Sequence, residues 1–482
     1  MTDYEAVIGI ETHVELMTDS KMFCGCPVIF GEAPNTTTCP VCLGLPGAMP
    51  VPNAEAMEGI LKIGTALDCQ VAEISYFHRK NYFYPDLPKN YQISQYDVPI
   101  CHDGSIAIDV DGEPTQIGIT RVHMEEDTGK SIHMGGGGRI HDAEYSLLDF
   151  NRSGVPLVEI VTEPDLRSAE QARAYGAELQ RIVRTLGVSD ARLEEGSMRF
   201  DANISVRPSG DPVLGTRAEI KNVNSLRSLQ RAVAFEIDRQ IELIESGGTV
   251  VQETRHWNEE SGKTTSMRSK EESEDYRYFQ EPDLVPIEVS AEWRDAVVAG
   301  LPELPAAQRA RYQALGVDVR VAGVLVETEE LGALFEDAMT AGGDPRLIGN
   351  WLSGEAVAWS RAESIAVGDS PLTAQHLVEL AAMVGDSTLS ASAAKQVLGG
   401  VLHGEGSPTE VAEARDLVQI SDGGVIEAAV DEVLAAHPDA VEGIRGGDMK
   451  PIGFLVGQVM RATGGKADPK QVQQLIRDKT TG

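Results

Sequence analysis

Between Ile8 and Leu16 the chain reads I-G-I-E-T-H-V-E-L, and alternation this strict predicts an extended strand with two unlike faces. Ile8, Ile10, Thr12, Val14 and Leu16 share one face, while Glu11, His13 and Glu15 share the other. Ionised groups about 7 Å apart along one strand repel unless a cation or open solvent relieves them. The stretch is therefore a solvated amphipathic strand or part of a cation site. A second alternating run, Ile117 to Met124, ends in His123-Met124-Glu125-Glu126-Asp127, with three consecutive carboxylates. If the two strands share a sheet, their carboxylates can hold a hard divalent metal.

Two more stretches repeat the pattern. Met198, Phe200, Ala202, Ile204 and Val206 alternate with Arg199, Asp201, Asn203, Ser205 and Arg207, and T-R-A-E-I-K-N sets out Arg217, Glu219 and Lys221. A salt-bridged surface explains any one of these strands, but it is a strained account of all four. A sheet face carrying carboxylates, a histidine, arginines and a lysine suits a metal-bound phosphate, because the cations offset charge on phosphoryl oxygens.

At 482 residues the chain exceeds one ordinary core, and two to four domains are expected. Its formal charge of −34 argues against a protein that coats nucleic acid, though not against a local basic site. The N-terminal stretch has no basic region followed by a long apolar run, and no apolar stretch approaches a membrane span, so a soluble, cytoplasmic protein is expected. A helix is predicted over Ser168 to Leu186, with Ser168 and Gln171 as a capping box and Gly187 as its stop. Composition turns helical near Glu292, and His403-Gly-Glu-Gly-Ser-Pro408 reads as a linker. The expected domains are 1–292, 293–406 and 407–482. Within the last, Lys450 to Lys479 carries six basic and two acidic side chains, a local +4. Lys450, Arg461, Lys466 and Lys470 are thus candidates for a nucleic-acid phosphate backbone, or for an acidic surface of the same protein.

Four of the six cysteines, Cys24, Cys26, Cys39 and Cys42, lie within 19 residues. Such thiolates can close a tetrahedral shell around a structural Zn2+, and a reducing compartment makes disulfides the weaker account. Cys69 and Cys101 read as ordinary packing or surface cysteines. Tyr76 to Tyr96 collects seven aromatics in a chain that is only 5% aromatic. With Lys80 and Tyr82 this stretch can stack on a base and touch phosphate, or it is a well-packed irregular loop. Thr128-Gly-Lys-Ser131 lacks the upstream glycine of a phosphate loop, and Gly135 to Gly138 reads as a hairpin tip. No glycine/serine-rich amidase signature is present, and neither Cys69 nor Cys101 sits in a recognisable nucleophile setting.

These motifs, together with K-N-Y-F-Y-P-D-L-P-K-N-Y-Q-I-S-Q-Y, E-I-K-N-V-N-S, D-Y-R-Y-F-Q-E-P-D-L and G-F-L-V-G-Q-V-M, resemble the GatB family, the B subunits of aspartyl/glutamyl-tRNA(Asn/Gln) amidotransferases, over essentially the whole chain. The resemblance implies an α+β protein with a glutamine synthetase-like antiparallel-sheet cradle, followed by an all-α helical domain and a small all-α tail. It implies ATP-dependent phosphorylation of the side-chain carboxylate of misacylated Glu-tRNA(Gln) or Asp-tRNA(Asn), then amidation. Carried over residue by residue, its metal ligands are Glu11, His13, Glu125 or Glu126, and Asp201, for Mg2+ or Mn2+. Arg199, Arg217 and Lys221 follow for phosphate charge, with Lys80 and Tyr82 for ATP. Implied partners are the amidase A and small C subunits of the same complex, misacylated tRNA and a non-discriminating aminoacyl-tRNA synthetase. Residues 135–142 look like an insertion in the family pattern. The alternative is a tRNA-binding adaptor whose metal sites are purely structural.

Overall fold

A computed structural model describes residues 3–135, 143–269, 276–419, 423–464 and 466–481. The chain divides into two compact units, Met1–Ala306 and Ala307–Gly482. In chain order the first contains β1 (Tyr4–Glu15), α1 (Ala54–Ala66), β2 (Gln70–Val71), β3 (Ile74–Ser75), β4 (His78–Asn81) and β5 (Tyr91–Ser94). There follow β6 (Cys101–Val110), β7 (Glu113–Glu126), β8 (Lys130–Met134), β9 (Tyr145–Asp149), β10 (Pro156–Thr162) and α2 (Ala169–Thr185). The unit continues through β11 (Met198–Pro208), β12 (Ala218–Val223), α3 (Leu226–Glu245), β13 (Glu253–Asn258), β14 (Lys263–Ser269), β15 (Arg277–Gln280), β16 (Ile287–Glu288) and α4 (Ala291–Ala299).

Nine of these strands form one sheet in the order β14-β13-β12-β11-β1-β10-β7-β6-β2. The alternation read from sequence builds it: Ile8, Ile10 and Val14 of β1 face a core shared with Ile60 of α1, Leu179 of α2 and Leu229 of α3. Thr12 is polar yet fully buried on this face because its Oγ1 meets the Tyr175 hydroxyl at 3.2 Å. Helices thus cover one face of the sheet, which leaves the other for chemistry.

The sheet is not wholly antiparallel, contrary to expectation. β12 and β13 run parallel, which requires a crossover, and α3 is that crossover. The aromatic stretch also differs from the irregular loop read there. Its β4 and β5 pair as a hairpin, and β15 joins β4 to make a three-stranded sheet. Arg79 ties this small sheet together by donating to Glu281 at 2.7 and 2.8 Å while lying 4.4 Å from the Tyr91 ring. Helix α2 starts where sequence puts it, with the Ser168 hydroxyl accepting the Gln171 N–H. The Gln171 side chain, however, accepts from Arg167 rather than from the cap residue. The glycine tract lies largely outside the described residues; β8 and β9, on either side of it, pair antiparallel.

The composition shift near Glu292 precedes the change of unit, because α4 still buries Val297 in the first core. The second unit is helical from its first described residues to Thr481. One of its cores gathers Tyr312, Phe335, Trp351 and Leu398, and it includes Val411 and Ala412 from beyond the expected limit at 406. A second core of Ile426, Val430, Leu455, Val459 and Ile476 organises the tail. Apolar packing therefore sets these limits several residues later than composition does. Among the described residues no helix is long and apolar enough to cross a membrane.

Ile10 lies at the centre of the main core and is 1% exposed. Ile10→Ala is expected to cost about 2–5 kcal/mol of stability. A thermal or urea unfolding curve displaced by less than about 1 kcal/mol would show that the helices do not press on this face as described.

Candidate active site

Register brings the charged residues into rows across the uncovered face. His123 of β7 lies opposite Glu159 of β10, Glu159 opposite His13 of β1, and His13 opposite Arg199 of β11. One step along, Glu11 faces Asp201. Two groups of converging donor atoms result: His13, Glu125 and Glu159, and Glu11, Asp201 and Glu219. Within each group the donor atoms all lie within 4.8 Å of one another, a spread that a single divalent ion can bridge.

The first group is strongly polarised. His13 Nε2 is 3.8 Å from Glu159 Oε2. Glu125 Oε1 receives the Ser94 hydroxyl at 2.8 Å and lies 3.6 Å from Lys80 Nζ, and Glu125 Oε2 receives the Gln92 amide at 3.1 Å. Burial opposes ionisation of Glu125, but Lys80 and His123 overcome it and hold the carboxyl well below its usual range. Glu159 is treated likewise: burial raises it, His123 more than compensates, and it titrates at about 2. Both are carboxylates at neutral pH, as a metal requires.

In the second group Lys221 is already a counter-ion, 3.3 Å from Asp201 Oδ2 and 3.0 Å from Glu219 Oε1. Glu11 accepts the Asn203 amide at 2.9 Å, and burial with Glu159 nearby raises its pKa. Arg199 donates to Asp127 at 3.0 Å. Arg217 is exposed just ahead of β12, joining neither group. Tyr82 packs edge-on against Tyr276, whose ring lies 5.1 Å from Lys80 Nζ.

Sequence leaves Glu125 and Glu126 undivided as candidates, and geometry separates them. Glu126 lies on the other face of β7, bonded to Lys89 and to the Ile93 N–H, and joins neither converging group. Glu159 is a ligand candidate that sequence reasoning misses. It is the one charged residue in P-L-V-E-I-V-T, and in a strand apolar on both faces no alternation marks it. Glu219 stands out in the sequence, but nothing there sets it among the ligands.

The four cysteine sulfurs also converge within 4.8 Å. Cys39 and Cys42 Sγ are 3.9 Å apart, close to the separation of about 3.8 Å that zinc–sulfur bonds of about 2.3 Å impose at tetrahedral angles. The Cys39 N–H points at Cys42 Sγ at 3.1 Å. A hydrogen bond from Cys24, this N–H and Lys21 all favour the Cys42 thiolate and bring its pKa to about 5, despite burial. The set fits a soft divalent ion. A cavity of about 100 Å³ separates the cysteine loop from Lys89, Tyr91 and Glu126. Cys69 and Cys101 are apart from this cluster, and burial pushes Cys69 up to about 12.

Residues 6–295 match the family model described as the GatB/GatE catalytic domain, and residues 333–480 match the one described as the GatB domain. The chain belongs to the GatB family. It is 50% identical to the B subunit of the aspartyl/glutamyl-tRNA(Asn/Gln) amidotransferase of Trichodesmium erythraeum, over 100% of this chain and 98% of that relative. The protein of the same name from Frankia casuarinae is 51% identical over 99% and 95%, and that from Moorella thermoacetica 50% over 99% and 100%. The resemblance read from the motifs is thereby borne out along the whole chain.

Beside the site, burial and Asp127 raise Glu15 to about 8. The folded state then holds a proton that the unfolded chain releases above about pH 4.5, so stability falls as pH rises from 4.5 through 8. Glu15→Gln removes that dependence. Thermal midpoints of variant and parent should diverge in the variant's favour between about pH 5 and 8; parallel profiles would contradict the buried neutral carboxyl.

Proposed function

We propose that this chain is the ATP-dependent synthetase half of a tRNA-dependent amidotransferase, a ligase that takes its amide nitrogen from glutamine through a partner chain. The observation that carries the reading is the convergence of His13, Glu125 and Glu159 on a sheet face that also bears Arg199 and Lys221 and that Lys80 reaches from the neighbouring three-stranded sheet. A divalent ion held there would draw off negative charge from ATP phosphates. Magnesium is the expected ion, and manganese suits the histidine better.

The reaction follows from the weakness of a carboxylate as an electrophile. A side-chain carboxylate oxygen of Glu-tRNA(Gln) or Asp-tRNA(Asn) attacks the γ-phosphorus of ATP, and ADP departs. Ammonia then adds to the carbonyl carbon, a proton is given up, and phosphate leaves with the former carboxylate oxygen. Lys80 and Arg199 are assigned to phosphoryl charge, Lys221 to the second acidic group, and Tyr82 to packing beside the nucleotide. Glu11 and Asp201, with Glu219, form that second group, where Lys221 already offsets their charge. Arg217 stays a weaker candidate for phosphate.

The glutamine synthetase-like cradle, the Zn2+ at Cys24, Cys26, Cys39 and Cys42, the amidase A and small C subunits, the synthetase that supplies misacylated tRNA, and the cytoplasmic setting belong to the same proposal. So does the division into catalytic, helical and tRNA-contacting parts. Lys450, Arg461 and Lys470 are exposed and suit a tRNA backbone. Lys466 and Lys479 are paired with Asp416, Glu427 and Asp431 of their own unit, which supports internal docking for those two. A purely structural adaptor is disfavoured, because an adaptor face would carry lysines and arginines where this one gathers carboxylates.

The reconstituted complex, given misacylated tRNA, ATP and free ammonium, should form the amide. Glu125→Gln should lower that rate by about 100-fold or more, while Glu126→Gln retains most of the ammonium-dependent rate. Equal losses for the two would contradict the assignment. Cys39→Ser should reduce bound zinc and lower the thermal midpoint without changing ammonium-dependent turnover per folded molecule. Metal analysis that finds no zinc in the parent would remove the structural role.

A further inference from the structure

His123 and Arg121 have no part in the reading above, yet they touch its centre. His123 lies on β7 with its side chain 7% exposed. Its Nε2 is 3.4 Å from Glu125 Oε1 and 3.3 Å from Glu159 Oε2. The other ring nitrogen, Nδ1, receives the Arg121 Nε–H at 3.2 Å. A guanidinium has only hydrogens to offer, so Nδ1 accepts and the ring hydrogen stands on Nε2, the nitrogen that lies beside the two carboxylates.

Arg121 is itself held at every nitrogen. Its Nη1 donates to the Tyr96 carbonyl at 2.7 Å and its Nη2 to the Gln95 carbonyl at 2.8 Å. Gln95 is 2% exposed, and its side-chain oxygen receives the Met124 N–H at 3.0 Å. The two carbonyls therefore fix the guanidinium against the end of β5, and the guanidinium fixes the imidazole in turn. Glu125 and Glu159 stand on neighbouring strands and repel each other; the shared hydrogen is what lets their oxygens converge.

We infer that His123, clamped by Arg121, is the positioning residue of the metal group: through Nε2–H it holds Glu125 and Glu159 in the arrangement that converges with His13. The inference rests on the assignment of the metal to those three residues. It gives the aromatic hairpin a mechanical role, because the Tyr96 and Gln95 carbonyls are the fixed end of the arm. Ligand orientation by an outer hydrogen bond commonly changes metal affinity by about 10–100-fold.

The test is Mn2+ binding to the full chain within its complex, followed by the free-ion paramagnetic resonance signal, with tRNA and metal KM measured alongside. The amide of His123→Gln reaches the Nε2 position, whereas that of His123→Asn reaches only toward Arg121. His123→Asn should weaken Mn2+ by about 10–100-fold and raise the metal KM, with the tRNA KM unchanged and most of kcat regained at saturating Mn2+. His123→Gln should recover Mn2+ affinity to within a few-fold. Arg121→Gln leaves the ring in place but unclamped, and should weaken Mn2+ about tenfold; it serves as the probe if His123→Asn does not fold. Unchanged Mn2+ affinity in His123→Asn or Arg121→Gln, or equal losses in the Asn and Gln variants, would overturn the positioning role. A parent that binds no Mn2+, or binds it equally well after Glu125→Gln, would overturn the metal assignment and this inference with it.

Discussion

The structure depends on the register of β1 between β10 and β11. Glu11 opposite Asp201, and His13 opposite both Glu159 and Arg199, are set by backbone pairing before any side chain interacts. A slip of one residue on either side would turn His13 into the helical layer and Ile10 or Val14 outward. The buried apolar face forbids that slip. Folding and chemistry are coupled here: the area buried against α1, α2 and α3 specifies which carboxylates meet on the far side.

A face this acidic needs cations, and the chain supplies them unevenly. Around Glu11, Asp201 and Glu219 the ammonium of Lys221 is already in contact with two of the three. Arg199 and Arg152 flank Asp127 and outweigh its burial, keeping it ionised. The group at His13 is different. Lys80 and His123 hold its two carboxylates ionised, yet their oxygens still converge on the imidazole of His13, which is the arrangement that a divalent ion rewards. A divalent ion held here would replace repulsion with attraction. The cysteine loop solves a separate problem. It is a long excursion from the sheet with few buried apolar side chains of its own, and four converging sulfurs can close it with one ion.

How much of this is legible in the sequence follows from where each residue sits. β1 and β11 are readable because one face is covered and the other is not, so hydropathy alternates. Residues on them, Glu11, His13, Arg199 and Asp201, stand out for that reason. β10 is apolar on both faces, and Glu159 within it looks like a lone interruption of an apolar run. Finding it needs the pairing partner His13, which is far away in the sequence. Glu125 and Glu126 cannot be separated by sequence because nothing local marks which face of a strand end turns to the site; Lys89 and Ile93 decide it. The hairpin of β4 and β5 is hidden by prolines between its strands, and the parallel pairing of β12 with β13 by the absence of any local mark of strand direction. Composition sets the start of the helical part too early for a related reason: α4 has helical character but packs with the sheet unit.

The central claim is that this face phosphorylates a side-chain carboxylate before the amide forms, and isotope transfer tests it without reference to any variant. Misacylated tRNA whose side-chain carboxylate carries oxygen-18 is turned over by the complex with ATP and ammonium, and the released phosphate is analysed by mass spectrometry. The account expects one labelled oxygen in the phosphate for each amide formed. Amide formation with unlabelled phosphate would mean that no acyl phosphate is made, and the role assigned to this face would be contradicted.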